Sequence, residues 1–251
     1  MSTAPAAASN QREPQLTGQT VVLVGGSAGI GLATARRARA EGAETILTGR
    51  NPERLERAAR DVGAVGSAAF DAADPEGLAR FFEGLRAPVD HVMVTAGRPY
   101  YAPLAEIDLE QARRSFDDHL WLALRIAQLA ARAVRPGGSL LFMGGAGGRR
   151  RGVGLSVIAA GTAALPALVA NLAVEVAPIR VNLIAAGFVD TPLSASLLGD
   201  QLDERRAQLR ATLPIGRVVG PDDVAALAVH LMANTALTGA TYDIDGGQQL
   251  V

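Results

Sequence analysis

The chain has 251 residues, 49% hydrophobic and 20% charged, a balance that excludes extensive disorder and suits one large α/β domain or two small ones. Its 24 basic and 25 acidic residues nearly cancel, which removes the electrostatic footprint of a nucleic-acid or anionic-membrane binder. There is no cysteine, and all 24 basic residues are arginine, so disulfides, thiol catalysis, cysteine-ligated metals and lysine chemistry are excluded.

No run approaches the roughly 18 consecutive apolar residues of a membrane-spanning helix. Met1 to Gln15 is rich in Ala, Ser and Pro, with neither a basic n-region nor an apolar h-region. It reads as a mobile tail on a soluble, cytoplasmic protein. From Gly18 onward, short β-branched runs alternate with helical patterns. Thr20–Val24 is a strand, followed by a helix over about Gly29–Glu41 and a strand at Glu44–Thr48. Asn51 and Pro52 open the next helix as N-cap and first helical residue. Further strands fall at Val65–Phe70, Asp90–Val94, Ser139–Met143 and Ile179–Ala185, with helices from about Pro75, Glu110 and Leu155 between them. Ser156 is placed to cap the last of these. Pro166 lies inside it, and its missing N–H predicts a kink or a later start. Pro192–Leu213 reads as a helical lid, Pro221 and Asp222 open a last helix, and Thr241–Ile244 is the last strand. Strands alternating with helices of this length imply right-handed βαβ units. The expected fold is α/β: one doubly wound parallel sheet of about seven strands, helices on both faces, spanning residues 16–251.

After the first strand, Gly25-Gly26-Ser27-Ala28-Gly29-Ile30-Gly31 leads straight into a helix. Glycines let the backbone turn sharply and approach a pyrophosphate, which then sits on free N–H groups at the helix N-terminus. A tight strand–helix turn would use similar residues, but strand, glycines and helix come in the order that dinucleotide binding requires. The second strand ends in Thr48-Gly49-Arg50. A carboxylate there would bind ribose hydroxyls, whereas an arginine pairs with a 2′-phosphate, so NADP(H) is favoured over NAD(H). The alternative role for Arg50 is a solvated strand end.

The GxxxGxG spacing resembles that of the short-chain dehydrogenase/reductase family, and the likeness runs from about Leu16 to Val251. Val94-Thr95-Ala96-Gly97 is similar to the family's NNAG. Arg180-Val181-Asn182 with Ala186-Gly187-Phe188-Val189-Asp190-Thr191 resembles its RVN…PG…T segment. Pro214-Ile215-Gly216-Arg217, Pro221-Asp222-Asp223-Val224 and Asp245-Gly246-Gly247 are similar to its C-terminal signatures. The resemblance implies a Rossmann-type fold and an oxidoreductase. It places the cofactor on Gly25, Ser27, Gly29, Ile30 and Gly31, with Asp71 at the adenine, Ala96 and Gly97 at the ribose, and Thr191 at the nicotinamide amide. It also implies a homodimer or homotetramer paired through the long helices, where Leu120, Leu124 and Ala127 offer small and apolar faces. Packing against their own sheet is the other role open to them.

The resemblance fails at the catalytic positions. The family uses a Tyr as proton donor, a Lys four residues later, a Ser that orients the carbonyl, and an Asn in a long helix. These fall on Ile158, Thr162, Gly145 and His119. The tyrosines are Tyr100, Tyr101 and Tyr242, none near that helix start, and there is no lysine. The family's carbonyl-reductase mechanism is therefore excluded on residue grounds. His119 is the first candidate for a replacement acid, its other role being a satisfied polar residue between helices. Tyr100 and Tyr101 are candidates on the loop after the fourth strand, where an aromatic pocket wall is the commoner use. Arg149-Arg150-Arg151 reads either as a solvated loop or as capture of an anionic small-molecule substrate at the pocket mouth. His91 and His230 carry no motif and read as structural, and no metal-ligand spacing occurs. Two functions fit. One is an NADP(H)-dependent oxidoreductase with a non-standard site, acting on an imine, enone or activated carbonyl. The other is an NADP(H)-binding pseudoenzyme or a non-redox enzyme reusing the pocket.

Overall fold

Every residue of Val89–Val94 and of Arg180–Ala186 is buried, as strands covered by helices on both faces must be. The computed structural model describes residues 15–86, 88–149 and 151–251. The tail expected over Met1–Gln15 lies outside them except for Gln15, whose N–H donates to Glu41 Oε2 at 3.2 Å. The described strands are β1 (Thr20–Val24), β2 (Glu44–Gly49), β3 (Gly66–Ala69), β4 (Val89–Val94), β5 (Val134–Gly145), β6 (Arg180–Ala186) and β7 (Thr241–Ile244). They form one parallel sheet in the order β3-β2-β1-β4-β5-β6-β7. Strand order reverses between β1 and β4, where doubly wound sheets open a ligand crevice.

The described helices are α1 (Gly29–Ala40), α2 (Pro52–Val62), α3 (Pro75–Glu83), α4 (Leu109–Phe116), α5 (Leu122–Ala133), α6 (Ser156–Glu175), α7 (Pro192–Leu198), α8 (Leu202–Thr212) and α9 (Pro221–Ala233). The pleat of β1 sends Val22 and Val24 to one layer, against α3, α5 and α6, and Val21 and Leu23 to the other, against α1, α2 and α9. The expected opening of α2 is present: Asn51 Oδ1 accepts from Arg54 N at 2.8 Å, Pro52 follows, and Gly63 closes the helix in the left-handed region.

Four features differ from the sequence expectation. β5 starts at Val134, five residues early, with Gly137 and Gly138 forming an irregularity within the strand. The register slips between Val89 and His91, and a Cβ on Gly138 would stand 2.2 Å from Asp90 O. The long helix from about Glu110 is two helices, α4 and α5, joined by a π turn at Asp117–Trp121. α6 runs as one helix across Pro166, and Ser156 does not cap it: Leu155 is the N-cap and no side-chain bond closes that end. α6 is also long and apolar enough to cross a membrane by length and composition. Here Leu165, Val169 and Leu172 are buried in the core against the sheet. Ala127 is buried in the chain's own core and Leu120 packs on that core, so these two serve the sheet.

Candidate functional site

A cleft of about 1300 Å³ opens at the C-terminal ends of the central strands, with α7 forming one wall. Its floor starts at the glycine loop between β1 and α1. Gly25 has φ +103, and a Cβ there would lie 2.7 Å from both Ala96 N and Thr95 Oγ1. A Cβ on Gly31 would lie 2.4 Å from Gly25 O, so the third glycine lets α1 approach β1 closely. Ala28 is the N-cap of α1 and supplies no side-chain bond, leaving the first-turn N–H groups for a ligand. The residues present therefore fit a dinucleotide pyrophosphate. Gly29, Ile30, Ala96, Gly97 and Thr191 line the cleft as expected. Thr191 also caps α7, its Oγ1 accepting from Ser194 N at 3.3 Å. Ser27 does not line it. It is buried, with Oγ 2.8 Å from where a Cβ on Gly49 would sit, so its side chain supports the turn from behind. Arg50 and Asp71, exposed beyond β2 and β3, stand outside the lined volume.

Gly145, Ile158 and Thr162 meet in the cleft. A Cβ on Gly145 would be 3.4 Å from Thr162 Cγ2, ordinary contact. Thr162 is buried, and its hydroxyl donates back to Ile158 O at 2.8 Å. Neither Gly145 nor Ile158 carries a polar side chain. No proton donor aims into the cleft from this trio.

His119 lines the cleft from the π turn. Its Nδ1 lies 2.6 Å from Ser115 O, and a carbonyl only accepts, so Nδ1 carries a proton and Nε2 is the atom left for chemistry. Tyr100 and Tyr101 also line the cleft. Tyr100 Oη accepts from Asp108 N at 2.9 Å, keeping its own proton free to donate. Burial of part of the Tyr101 ring raises its pKa above the ordinary phenol value, which makes it a poorer acid.

Arg149 and Arg151 do not stand at the cleft mouth. Arg149 forms a two-pronged ion pair with the Asp243 carboxylate on β7, Arg151 donates to Gly148 O at 3.3 Å, and neither lines the cleft. Arg150 lies outside the described residues. The cationic groups lining the cleft are Arg98, Arg114 and Arg205, which sequence reading did not single out. A signal for part of this wall was available: Gln111 and Ser115 precede His119 at four-residue steps and share its helix face. His91 is structural, as expected. Its Nδ1 is 2.8 Å from Ser139 Oγ and its Nε2 is 2.6 Å from Gln19 Oε1, inside the sheet.

A protein family described as enoyl-(acyl carrier protein) reductase matches residues 24–249. The short-chain dehydrogenase/reductase ATR9 of Stachybotrys chlorohalonatus is 31% identical over 252 aligned residues, covering 93% of this chain and 98% of ATR9. The chain belongs to the short-chain dehydrogenase/reductase family. Among solved structures, MalC of Malbranchea aurantiaca, described as a reductase/Diels–Alderase, aligns with a TM-score of 0.88 at 26% identity, covering 95% of this chain and 99% of MalC. A crystal structure of a small-chain dehydrogenase in complex with NADPH aligns with a TM-score of 0.81 at 29% identity, covering 93% and 99% of the two chains. These similarities extend over the whole sheet, so this short-chain dehydrogenase/reductase carries the Rossmann-type fold of its relatives from end to end.

Proposed function

We propose that the protein is an NADP(H)-dependent oxidoreductase whose site works without the family's Ser, Tyr and Lys. The observation that carries this reading is the juxtaposition in one cleft of an intact glycine cradle with Gly145, Ile158 and Thr162, none of which offers a free proton donor. The NADPH complex of a similar dehydrogenase supports the cofactor, as does Arg50 at the end of β2. When bound, the nicotinamide supplies hydride transfer. The chain's own groups orient substrate and protonate it: His119 Nε2, or the Tyr100 hydroxyl. Loss of a general acid costs about 10²–10⁴-fold, so substrates that need little protonation, such as iminium ions and polarised enones, suit this site better than simple ketones. An anionic substituent on such a substrate would meet Arg98 or Arg114. We place the protein in the cytoplasm as a homodimer or homotetramer.

A second reading is a cofactor-binding protein that turns over no hydride and uses the cleft for other chemistry. It is favoured by the same missing donors, and by a relative described as both a reductase and a Diels–Alderase. The deciding experiment follows NADPH absorbance with a panel of iminium ions, enones and ketones. Faster oxidation with iminium ions and enones than with ketones supports the first reading. Tight NADPH binding with no oxidation by any class supports the second. Absence of NADPH binding overturns both.

A further inference from the structure

The α7 wall of the cleft buries none of its own residues, and α8 buries only Leu209. Leu193, Leu197 and Leu198 line the cleft from α7, and the first two are 41% and 38% exposed. A helix of seven residues with no buried side chain draws little stability from the core, so polar contacts must hold it in place. Its start is tied to the segment after β6: Thr191 Oγ1 accepts from Ser194 N at 3.3 Å, and Ser194 Oγ donates to Val189 O at 2.5 Å. That segment is itself fixed. Val189 pairs with Val219 in an isolated bridge, Asp190 N donates to Val219 O at 2.9 Å, and Phe188 N donates to Gln248 Oε1 at 2.8 Å. The far end of α7 passes through Gly199, at φ +51, and a short 3₁₀ turn into α8.

α8 returns the chain to the same fixed segment. Arg206 donates from Nε to Asp190 Oδ2 at 2.9 Å and from Nη2 to Asp190 Oδ1 at 2.8 Å. Its Nη1 reaches Asp203 Oδ1, one turn earlier on α8, at 2.9 Å. The side chains of the Arg206–Asp190 fork are 31% and 32% exposed, so water screens the pair only in part. A fork fixes direction as well as distance, and Arg205, beside Arg206, lines the cleft. Asp190 directly precedes Thr191, the residue expected at the nicotinamide amide. We propose that Arg206 is a positioning residue: its fork to Asp190 closes the circuit that runs from Thr191 through α7 and α8, and so holds the α7 wall against the cleft's nicotinamide end. The inference rests on the dinucleotide binding proposed above.

The test compares Arg206→Gln, Arg206→Lys and Asp190→Asn with the unmutated protein in two measurements: amide hydrogen exchange without nucleotide, and stopped-flow NADPH dissociation. Arg206→Gln is expected to speed exchange over residues 192–212 by about three- to tenfold, the size of one charge-assisted fork at partial exposure. NADPH dissociation should speed by a similar factor. Exchange in β1 and α1, and the melting temperature, stay near the unmutated values. Arg206→Lys keeps the charge without the fork and falls between the two. Asp190→Asn breaks the same pair from its other end, should reproduce the Gln result, and replaces that variant if it folds poorly. Arg149→Ala breaks a comparable exposed fork outside the cleft and should leave both readouts alone. Unchanged exchange in α7 and α8, exchange that rises evenly along the chain, or unchanged NADPH dissociation with binding intact overturns this inference alone. Failure of the unmutated protein to bind NADPH overturns the cofactor reading and this inference with it.

Discussion

Acidification should destabilise this protein through a single buried imidazole far from the cleft. His91 is 3% exposed and held between Ser139 and Gln19. Burial, then the charges of Arg180 and Arg135, lower its pKa from 6.5 to about 3. An unfolded chain protonates His91 below pH 6.5, whereas the folded chain resists until near pH 3. The folded state therefore binds fewer protons across that window, and stability present above pH 6.5 is lost as pH falls through it. At 1.36 kcal/mol per pH unit, the depression corresponds to about 5 kcal/mol as an upper bound. That is a large share of the roughly 5–15 kcal/mol that holds a typical domain together. Urea unfolding curves collected between pH 7 and pH 4 on the unmutated protein and on His91→Gln would measure it. Carboxylates titrate in both proteins, so the difference in slope isolates His91. The variant, whatever its stability at pH 7, should lose stability less steeply toward acid. Parallel curves would refute the reasoning.

His119→Asn should lower turnover on the best iminium or enone substrate by about 10²-fold or more while NADPH affinity holds. A full-rate Asn variant would remove His119 from the chemistry. Gly31→Ala places a methyl 2.4 Å from Gly25 O and 2.7 Å from Thr95 Oγ1. It should cost about 1–3 kcal/mol and weaken NADPH, and an unaltered melting temperature and affinity would contradict the close packing of α1 on β1. Arg149→Ala breaks an exposed pair with Asp243, so stability should change by less than about 1 kcal/mol. The KM for an anionic substrate should be unmoved, and a raised KM would restore Arg149 to the cleft mouth.

Strand and helix order, the glycine loop and the opening of α2 were legible because each depends on residues adjacent in sequence. β1 and β7 fall on the expected residues; for β1 the reason is its unbroken apolar and β-branched run, which has few other uses. That no lysine could serve the cleft was legible for a simpler reason: the chain contains none. Misreadings arose where distant residues compete for a side chain or a backbone group. Three adjacent arginines left a solvated loop and an anion trap both open from the sequence, and the pairing of Arg149 with Asp243 on β7 takes it out of the trap. The early start of β5 could not be read from Ser139–Met143, because the backbone of Asp90 approaches Gly138 so closely that a glycine is needed inside the strand. Short-range sterics and hydrophobic periodicity are written along the chain, so the sequence by itself determined the succession of strands and helices and the place of the glycine loop between β1 and α1. Electrostatic interactions act through space regardless of chain order, so only the tertiary structure decided which charges face the cleft and which are already paired.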